Sequence, residues 1–429
     1  MISTAPAIHR DLAIERHTLS NGLRVVLHRD TTLPLVGVNL WYHVGSKNER
    51  PGRTGFAHLF EHMLFQGSEH VGTNDHFRYM QQVGGLVNGS TWYDRTNYYE
   101  TLPANYLRLG LWLESDRMGF LLPALTPEKL ENQRSVVMNE RRQRIDNRPY
   151  GRANEVLHEL LFPADHPYHW PVIGYMEDIA AATLEEVRSF FRTYYSPNNA
   201  VLTLAGDFEP DEALLEIERF FGPIPRGPEP PPVEAPLGEL GGEVRQRVAD
   251  DVQLPRVYLA TRAPAYGERP WYAADLLSTA LADGKSSLLY EDLVYHRQLA
   301  QDVSAYVLPT EIASNFYLVA TCKPGVDVEV LEDALAEHLD RLATSPLSAE
   351  DLERCRNHVL VTHYRSLQHL DNRADRLSEL TTYFDAPERL RDETEHYLDL
   401  SATDLQDYAQ RFLRPEQRVV LSYVPSAQA

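Results

Sequence analysis

Apolar and polar positions divide the first part of the chain into elements before any chemistry is considered. Residues 22–27 (GLRVVL) and 35–44 (LVGVNLWYHV) are rich in β-branched and aromatic residues, which predicts two strands. Residues 55–64 read as a helix, and 77–83 as a short helix ending at Gly84-Gly85. Residues 86–101 alternate polar and aromatic positions, as a strand pair does, and 104–119 return to helical spacing. Thr126-Pro127-Glu128 joins an N-capping residue, a proline at the first helical position and an acid in the first turn. A helix therefore starts there and runs to about Ile145. Strands and helices mix without strict βαβ alternation, which predicts an α+β fold.

The middle of the chain breaks this pattern. From Gly222 it reads GPIPRGPEPPPVEAPLG, with seven prolines between Pro223 and Pro236. Proline fixes φ and removes a backbone donor, so this stretch is extended and joins neither a helix nor a central strand. The expected organisation is an N-terminal domain over 1–225, a linker over 226–238 and a C-terminal domain over 239–429. The halves carry a faint repeat. Tyr195-Ser196-Pro197 and Leu413-Arg414-Pro415 each separate a helical pattern from a strand-like run. Aligning the prolines sets Val187, Phe190 and Tyr194 against Leu405, Tyr408 and Phe412. Two related domains are expected, each a mostly antiparallel sheet with helices packed on it.

Composition narrows the function. The 429 residues include 41 Lys+Arg and 62 Asp+Glu, a formal charge of −21, which argues against a nucleic-acid partner. Hydrophobic residues at 43% and charged residues at 24% are ordinary for a soluble globular chain. Cys322 and Cys355 are the two cysteines, too few for a disulfide framework or a Cys-rich zinc module. No run approaches 18 uninterrupted apolar residues, so no membrane span is expected. Residues 1–14 carry Arg10 and Asp11 and lack an apolar core, so no signal peptide is expected in this numbering. The compartment stays open: cytoplasmic, or periplasmic if a signal was removed.

The sharpest chemical signal is His58-Leu59-Phe60-Glu61-His62. Residues four apart lie on one helix face, so two imidazoles so placed reach one metal ion. Zinc takes such nitrogens and in catalytic sites keeps one position open for water. Glu61 lies about 100° round the helix from His62, where it could take a proton from that water. Glu140, in ENQRSVVMNERRQR, falls about 60° from Val137 and about 40° from Val136. A carboxylate among apolar residues is costly unless paired or metal-bound. A salt bridge to Arg134, Arg141 or Arg144 is the alternative use for it.

HLFEH, followed 78 positions beyond His62 by the Glu of VVMNERRQR, resembles the pitrilysin/insulinase-type metallopeptidases with the inverted H-x-x-E-H motif. The bacterial proteins similar to mitochondrial processing peptidase are nearest in length. His17-Thr18-Leu19-Ser20-Asn21-Gly22-Leu23-Arg24-Val25-Val26, the run from Gly84 to Thr91, and Tyr195-Ser196-Pro197-Asn198-Asn199-Ala200 with Gly206-Asp207 also resemble family phrases. The resemblance implies one zinc per chain on His58, His62 and Glu140, with Glu61 as general base. It implies a peptide substrate, extended along an edge strand at about 87–98 and enclosed in a chamber, with Asn88, Gly89 and Thr91 at the substrate and Asn88 as a main-chain clamp.

Two departures qualify it. Gln133 stands where the family often has a second Glu. Val294 and Gln301 stand where active members carry an Arg and a Tyr that reach the active site, and Tyr295 and Arg297 are out of register. The chain is therefore expected to be a zinc endopeptidase subunit, working as a heterodimer with a zinc-less homologue that supplies the Arg/Tyr pair. A homodimer is the alternative assembly. A non-catalytic scaffold retaining the fold, or a zinc hydrolase for other substrates, is the alternative function.

Other signals carry less. Gly284-Lys285-Ser286 lacks the earlier Gly of a phosphate loop. His70 and His76 read as exposed polar residues, His166 and His169 as loop residues, and Cys322 as a buried strand thiol.

Overall fold

The strands of the first half are β1 (Glu15–Thr18), β2 (Arg24–Arg29), β3 (Leu35–Tyr42), β4 (Leu86–Thr91), β5 (Thr96–Pro103) and β6 (Ala200–Gly206). They form one six-stranded sheet in the order β1-β2-β6-β3-β5-β4. The second half supplies β7 (Val244–Asp250), β8 (Arg256–Ala263), β9 (Ala300–Leu308), β10 (Ser314–Cys322) and β11 (Arg418–Pro425), a five-stranded sheet in the order β7-β11-β8-β10-β9. The structure is a computed structural model and describes residues 12–235 and 237–426. Residues 1–11, part of the segment read for a leader, and Pro236 of the linker lie outside the described residues.

The two sheets share one plan. In the first, β6 runs parallel to β2 and antiparallel to β3; in the second, β11 runs parallel to β7 and antiparallel to β8. The remaining pairs are antiparallel. The fold is α+β, with helices on mostly antiparallel sheets. Pro197 and Pro415 are 218 positions apart, and Ala200 and Arg418, which open β6 and β11, are spaced identically. So are the capping boxes before these strands. Thr183 accepts from Glu186 N–H while Glu186 reaches back to Thr183, and Ser401 and Asp404 do the same. The faint sequence repeat thus has matching helix starts, turns and strands.

By contacts the chain divides into two units, and neither is one continuous stretch. One comprises residues up to Asn139, Pro171–Glu234 and Tyr364–Glu393; the other comprises Glu140–Trp170, Ala235–His363 and residues from Thr394 onward. One crossing, at Glu234/Ala235, falls within the proline segment. The others depart from the contiguous division at 225 and 239, and sheet burial gives the reason. β6 is buried at every position, so both faces of the first sheet need apolar cover. One face is covered by the helix Leu370–Phe384, whose Leu377 and Leu380 join Val26, Trp41 and Val201 in one cluster. In the other unit a first-half helix, Ala153–Leu161, packs on β8 and β11. There His158 Nε2 meets the Tyr317 hydroxyl at 3.0 Å. Periodicity shows that each of these helices has an apolar face but not which sheet will bury it.

No helix among the described residues is long and apolar enough to cross a membrane. Cys322 and Cys355 are both buried and free.

Because the two capping boxes do the same work, Thr183→Ala and Ser401→Ala should each cost about 1 kcal/mol. The measurement is the shift of the urea midpoint for each variant. A surface-neutral result for either would show that its helix is held by packing alone.

Candidate metal centre

Helix α1 (Phe56–Met63) explains how the motif is displayed. Phe56, Leu59, Phe60 and Met63 repeat at helical spacing and are buried. Phe60 packs on Tyr195 and Phe191 at centroid distances of 4.4 and 5.5 Å. This face is fixed by burial, so His58, Glu61 and His62, all half-buried, are left on the other side. The start of α1 is pinned. Gly55 has φ 81°, and a Cβ there would sit 2.6 Å from the Ile173 carbonyl oxygen. Glu49 accepts from Gly55 N–H at 2.9 Å and from Ala57 N–H at 2.8 Å, satisfying donors that a helix start leaves open. Glu49 has no local signature, because it caps the helix from an earlier turn.

Helices α2 (Asp75–Gln82), α3 (Leu107–Phe120) and α4 (Pro127–Arg141) follow. Thr126 caps α4 as its sequence predicts, with its Oγ1 accepting from Lys129 N–H at 3.3 Å. The helix winds on as a π turn over Arg142–Asp146, a feature frequent at functional sites. The boundary between the two units falls at Asn139/Glu140, inside this continuous helix, so Glu140 is carried by α4. Val137 is fully buried while Val136 is 40% exposed, so Glu140 shares the face of Val137 and Gln133.

The donors converge. His58, His62 and Glu140 each bring one ligand atom, and these lie within 4.8 Å of one another. The imidazole rings are 4.9 Å apart, edge to face. The salt bridge weighed from sequence also exists, since Arg144 Nη1 is 2.6 Å from Glu140 Oε1. Arg144 is largely exposed there, whereas Arg134 bonds the Ala180 carbonyl and Arg141 bonds Glu155. Two imidazole nitrogens and one carboxylate oxygen are the donor set of a catalytic zinc with one position left for water, so the residues present fit the ion. Gln133 is buried at 5% exposure.

Strand β4 lies beside this centre as an edge of its sheet. Thr91 donates to Glu61 Oε2 at 2.6 Å. The hairpin closes with Trp92 N–H bonded to the Arg95 carbonyl at 2.8 Å. Alternation from that bond pairs Ser90, Asn88 and Leu86 with β5, and turns the main chains of Thr91, Gly89 and Val87 to the open edge. The outward residues are therefore Gly89 and Thr91 rather than Asn88. The Asn88 side chain instead accepts from Gly89 N–H at 2.9 Å, occupying a donor of the exposed edge.

Behind β4 lies a buried charged cluster that sequence reasoning missed. His76 is 3% exposed, not an exposed polar residue, and its Nε2 is 2.7 Å from Glu100 Oε1. Glu114 is paired with Arg117, whose guanidinium lies 4.0 Å from the centre of the Tyr98 ring. His76, Glu100 and Glu114 also bring ligand atoms within 4.8 Å of one another, but Arg117 already supplies a cation there. Burial pushes His76 down to about 3, and Arg117 adds to the shift, so its imidazole is neutral. Burial pushes Glu100 and Glu114 up to about 7 against the opposing pull of Arg117. One carboxylate balances Arg117, and the other holds a proton near neutrality. The spacing of Glu114 and Arg117 on one helix is an ordinary surface pattern, so only burial distinguishes it. His70 is half exposed, with Nδ1 2.6 Å from Asp116, and His166 is a buried loop residue stacked on Phe162.

Residues 24–167 match the family described as Insulinase (Peptidase family M16), and residues 181–359 match the Peptidase M16 inactive domain. The chain is 28% identical over 436 residues to the zinc protease PqqE of Helicobacter pylori, covering 99% of this chain and 96% of that one. It is 31% identical over 322 residues to the uncharacterized zinc protease Mb2805c of Mycobacterium bovis, covering 75% and 73% of the two chains. The crystal structure of a protease from Helicobacter pylori superposes with a TM-score of 0.91 at 27% identity, over 96% of this chain and all of that one.

The buried carboxyl groups make stability depend on pH. Their folded pKa is raised from the ordinary 4.5 to about 7, so the folded state binds more protons than the unfolded chain in that interval. Their contribution is full below about 4.5 and is lost as pH rises through about 7. Neutral His76 acts in the opposite sense below about 6.5, so the test is differential: relative to wild type, Glu100→Gln, permanently neutral, should show a melting temperature that falls less, or rises more, between pH 5 and 8. An unchanged slope in the variant would show that another group titrates.

Proposed function

This chain belongs to the insulinase (M16) peptidase family, and from that premise we propose that it is a zinc-dependent endopeptidase subunit cleaving extended peptides. The observation that carries this reading is the convergence of His58, His62 and Glu140 within 4.8 Å, on helices that place Glu61 beside them. These three residues would hold one zinc ion. When bound, zinc supplies Lewis-acid polarisation of a carbonyl and makes a water more acidic.

Glu61 takes the proton from the attacking water and passes it to the leaving amine. Thr91, donating to Glu61 Oε2, holds one carboxylate oxygen so that the other faces the water. Thr91 is thus a positioning residue. The outward main chains of Gly89 and Thr91 pair with the peptide backbone, which gives sequence-tolerant binding. Asn88 leaves Gly89 N–H as the peptide arrives and turns its amide to the substrate.

Val294 lies in the helical turn Tyr290–His296, and Gln301 is the second residue of β9. Neither provides a cationic or phenolic donor for developing negative charge. We assign that task to a homologous, zinc-less partner, giving a heterodimer, with a homodimer as the weaker catalyst. A match of residues 181–359 to an inactive domain type supports placing the zinc chemistry on the first half alone.

Metal analysis and an unfolded fluorogenic peptide test the reading. The purified chain should bind stoichiometric zinc, and His58→Ala should abolish it. Glu61→Gln should keep zinc and lose activity about 10²–10⁴-fold. A chain that holds no zinc is the scaffold, and a Glu61→Gln variant with normal turnover removes the base assignment. Adding the homologous partner should raise turnover about 10²–10³-fold, the scale of one oxyanion donor. Full activity of the chain alone would refute the divided site.

A further inference from the structure

We propose that the apolar recess at the head of β4 is a specificity pocket for one apolar side chain of the peptide, on the C-terminal side of the scissile bond. This rests on the reading above, in which the peptide pairs with the open edge of β4. The recess, of about 480 Å³, lies among Leu33, Leu35, Leu86, Leu367 and Leu370, with Thr101 beside them. Two of its walls are unusual for a folded surface. Leu86 is 75% exposed and Leu33 is 55% exposed, whereas the floor residues Leu367 and Leu370 are buried. Single exposed leucines are commonplace; two that face one recess beside the open edge of a strand leave an apolar site with its rim in place, filled by no side chain among the described residues.

The register of β4 connects this recess to the reaction centre. Thr91 marks the centre through its bond to Glu61, and Leu86 lies at the other end of the same strand. Five steps along a strand cover about 17 Å. Thr91 faces α1, and a Cβ on Gly89 would point at Phe65 and Tyr98, 3.2 and 3.1 Å away. Alternation therefore turns Leu86, Asn88 and Ser90 to the opposite face, where Ser90 bonds Asn97 at 2.7 Å. The recess opens on that same face, against the start of the helix Leu370–Phe384. A peptide strand on the outer edge carries its side chains on these two faces, about 5 Å from their cross-strand neighbours.

Direction follows from the sheet. β3, β5 and β4 are successively antiparallel, and an added antiparallel strand continues that pattern. β4 runs from Leu86 towards Thr91, so the peptide runs from the reaction centre towards Leu86. The recess then meets the peptide about three to five residues beyond the scissile bond. The rim also carries charge, with Arg373 lining it beside Asp30 and Asp371. Asp30 is engaged by Arg373 at 2.6 Å, and Asp371 lies in the first turn of the covering helix. An apolar side chain leaves that ion pair intact and gains burial against the five leucines of the lining.

The test uses the full zinc-loaded chain and a set of labelled twelve-residue peptides of Ser, Thr and Gly, in which a single Leu is walked through every position. Anisotropy titrations with the Glu61→Gln variant report affinity without turnover, and mass spectrometry of wild-type digests reports where each peptide is cut. The expected result is one register, C-terminal to the cut, in which Leu tightens binding about tenfold over Ser. That Leu-to-Ser ratio should fall to about one in Leu86→Glu and in Leu33→Asp, both exposed positions whose fold is checked by circular dichroism and zinc content. Equal binding of Leu and Ser peptides, a ratio that survives both substitutions, or a preference on the N-terminal side of the cut would each overturn the pocket. If the peptides are neither bound nor cut in any register with the homologous partner added as well, the peptidase reading itself fails, and the pocket falls with it.

Discussion

The chemistry depends on how α1 is held. Eight residues make a helix too short to persist in water by itself, so packing and capping decide its position. Phe56, Leu59, Phe60 and Met63 bury one face, and Glu49 bonds the first open amides. Once that face is inside, the rotation of His58, Glu61 and His62 has no freedom left. A helix turned by one residue would move each imidazole by about 100° and disperse the donors.

The second half of the molecule repeats the strand plan but not the chemistry. β11 stands to β7 and β8 as β6 stands to β2 and β3, and both strands follow a capped helix at the same spacing. The clusters able to hold a metal among the described residues involve only residues of the first half. Duplication of a fold therefore leaves the second half free of the constraint that fixes α1. Its helical turn at Tyr290–His296 presents an exposed Tyr295. The candidate donors are thus side chains grafted on one copy of a shared scaffold.

The edge strand is supported from behind by charge as well as by packing. Arg117, buried between Glu114 and the Tyr98 ring, fills the space beneath β5, the strand that β4 pairs with. Such a cluster is stable only when its charges balance, which is why one carboxyl group keeps a proton. It ties α2, α3 and β5 together directly behind the strand that the proposed substrate would join.

Much of this was legible in the sequence, for physical reasons. Local periodicity marked β2, β3, α1, α2 and the β4–β5 hairpin, because alternation and helical spacing are imposed within a few residues. The caps of α4 followed from Thr126 and Pro127, and the two-histidine face from spacing on one helix. Partners distant in the chain were not legible. From its neighbours alone Glu140 reads more readily as an arginine partner than as a third donor, and only α4 set beside α1 places it for both. His76 looked like a surface residue because nothing nearby announces the Glu100–Glu114–Arg117 cluster that buries it. The helices Ala153–Leu161 and Leu370–Phe384 each carry an apolar face, yet only the uncovered sheets decide where those faces go. Residue type and spacing thus determine which local structures and reactive groups exist, whereas burial, which sums over the whole fold, decides which of them meet.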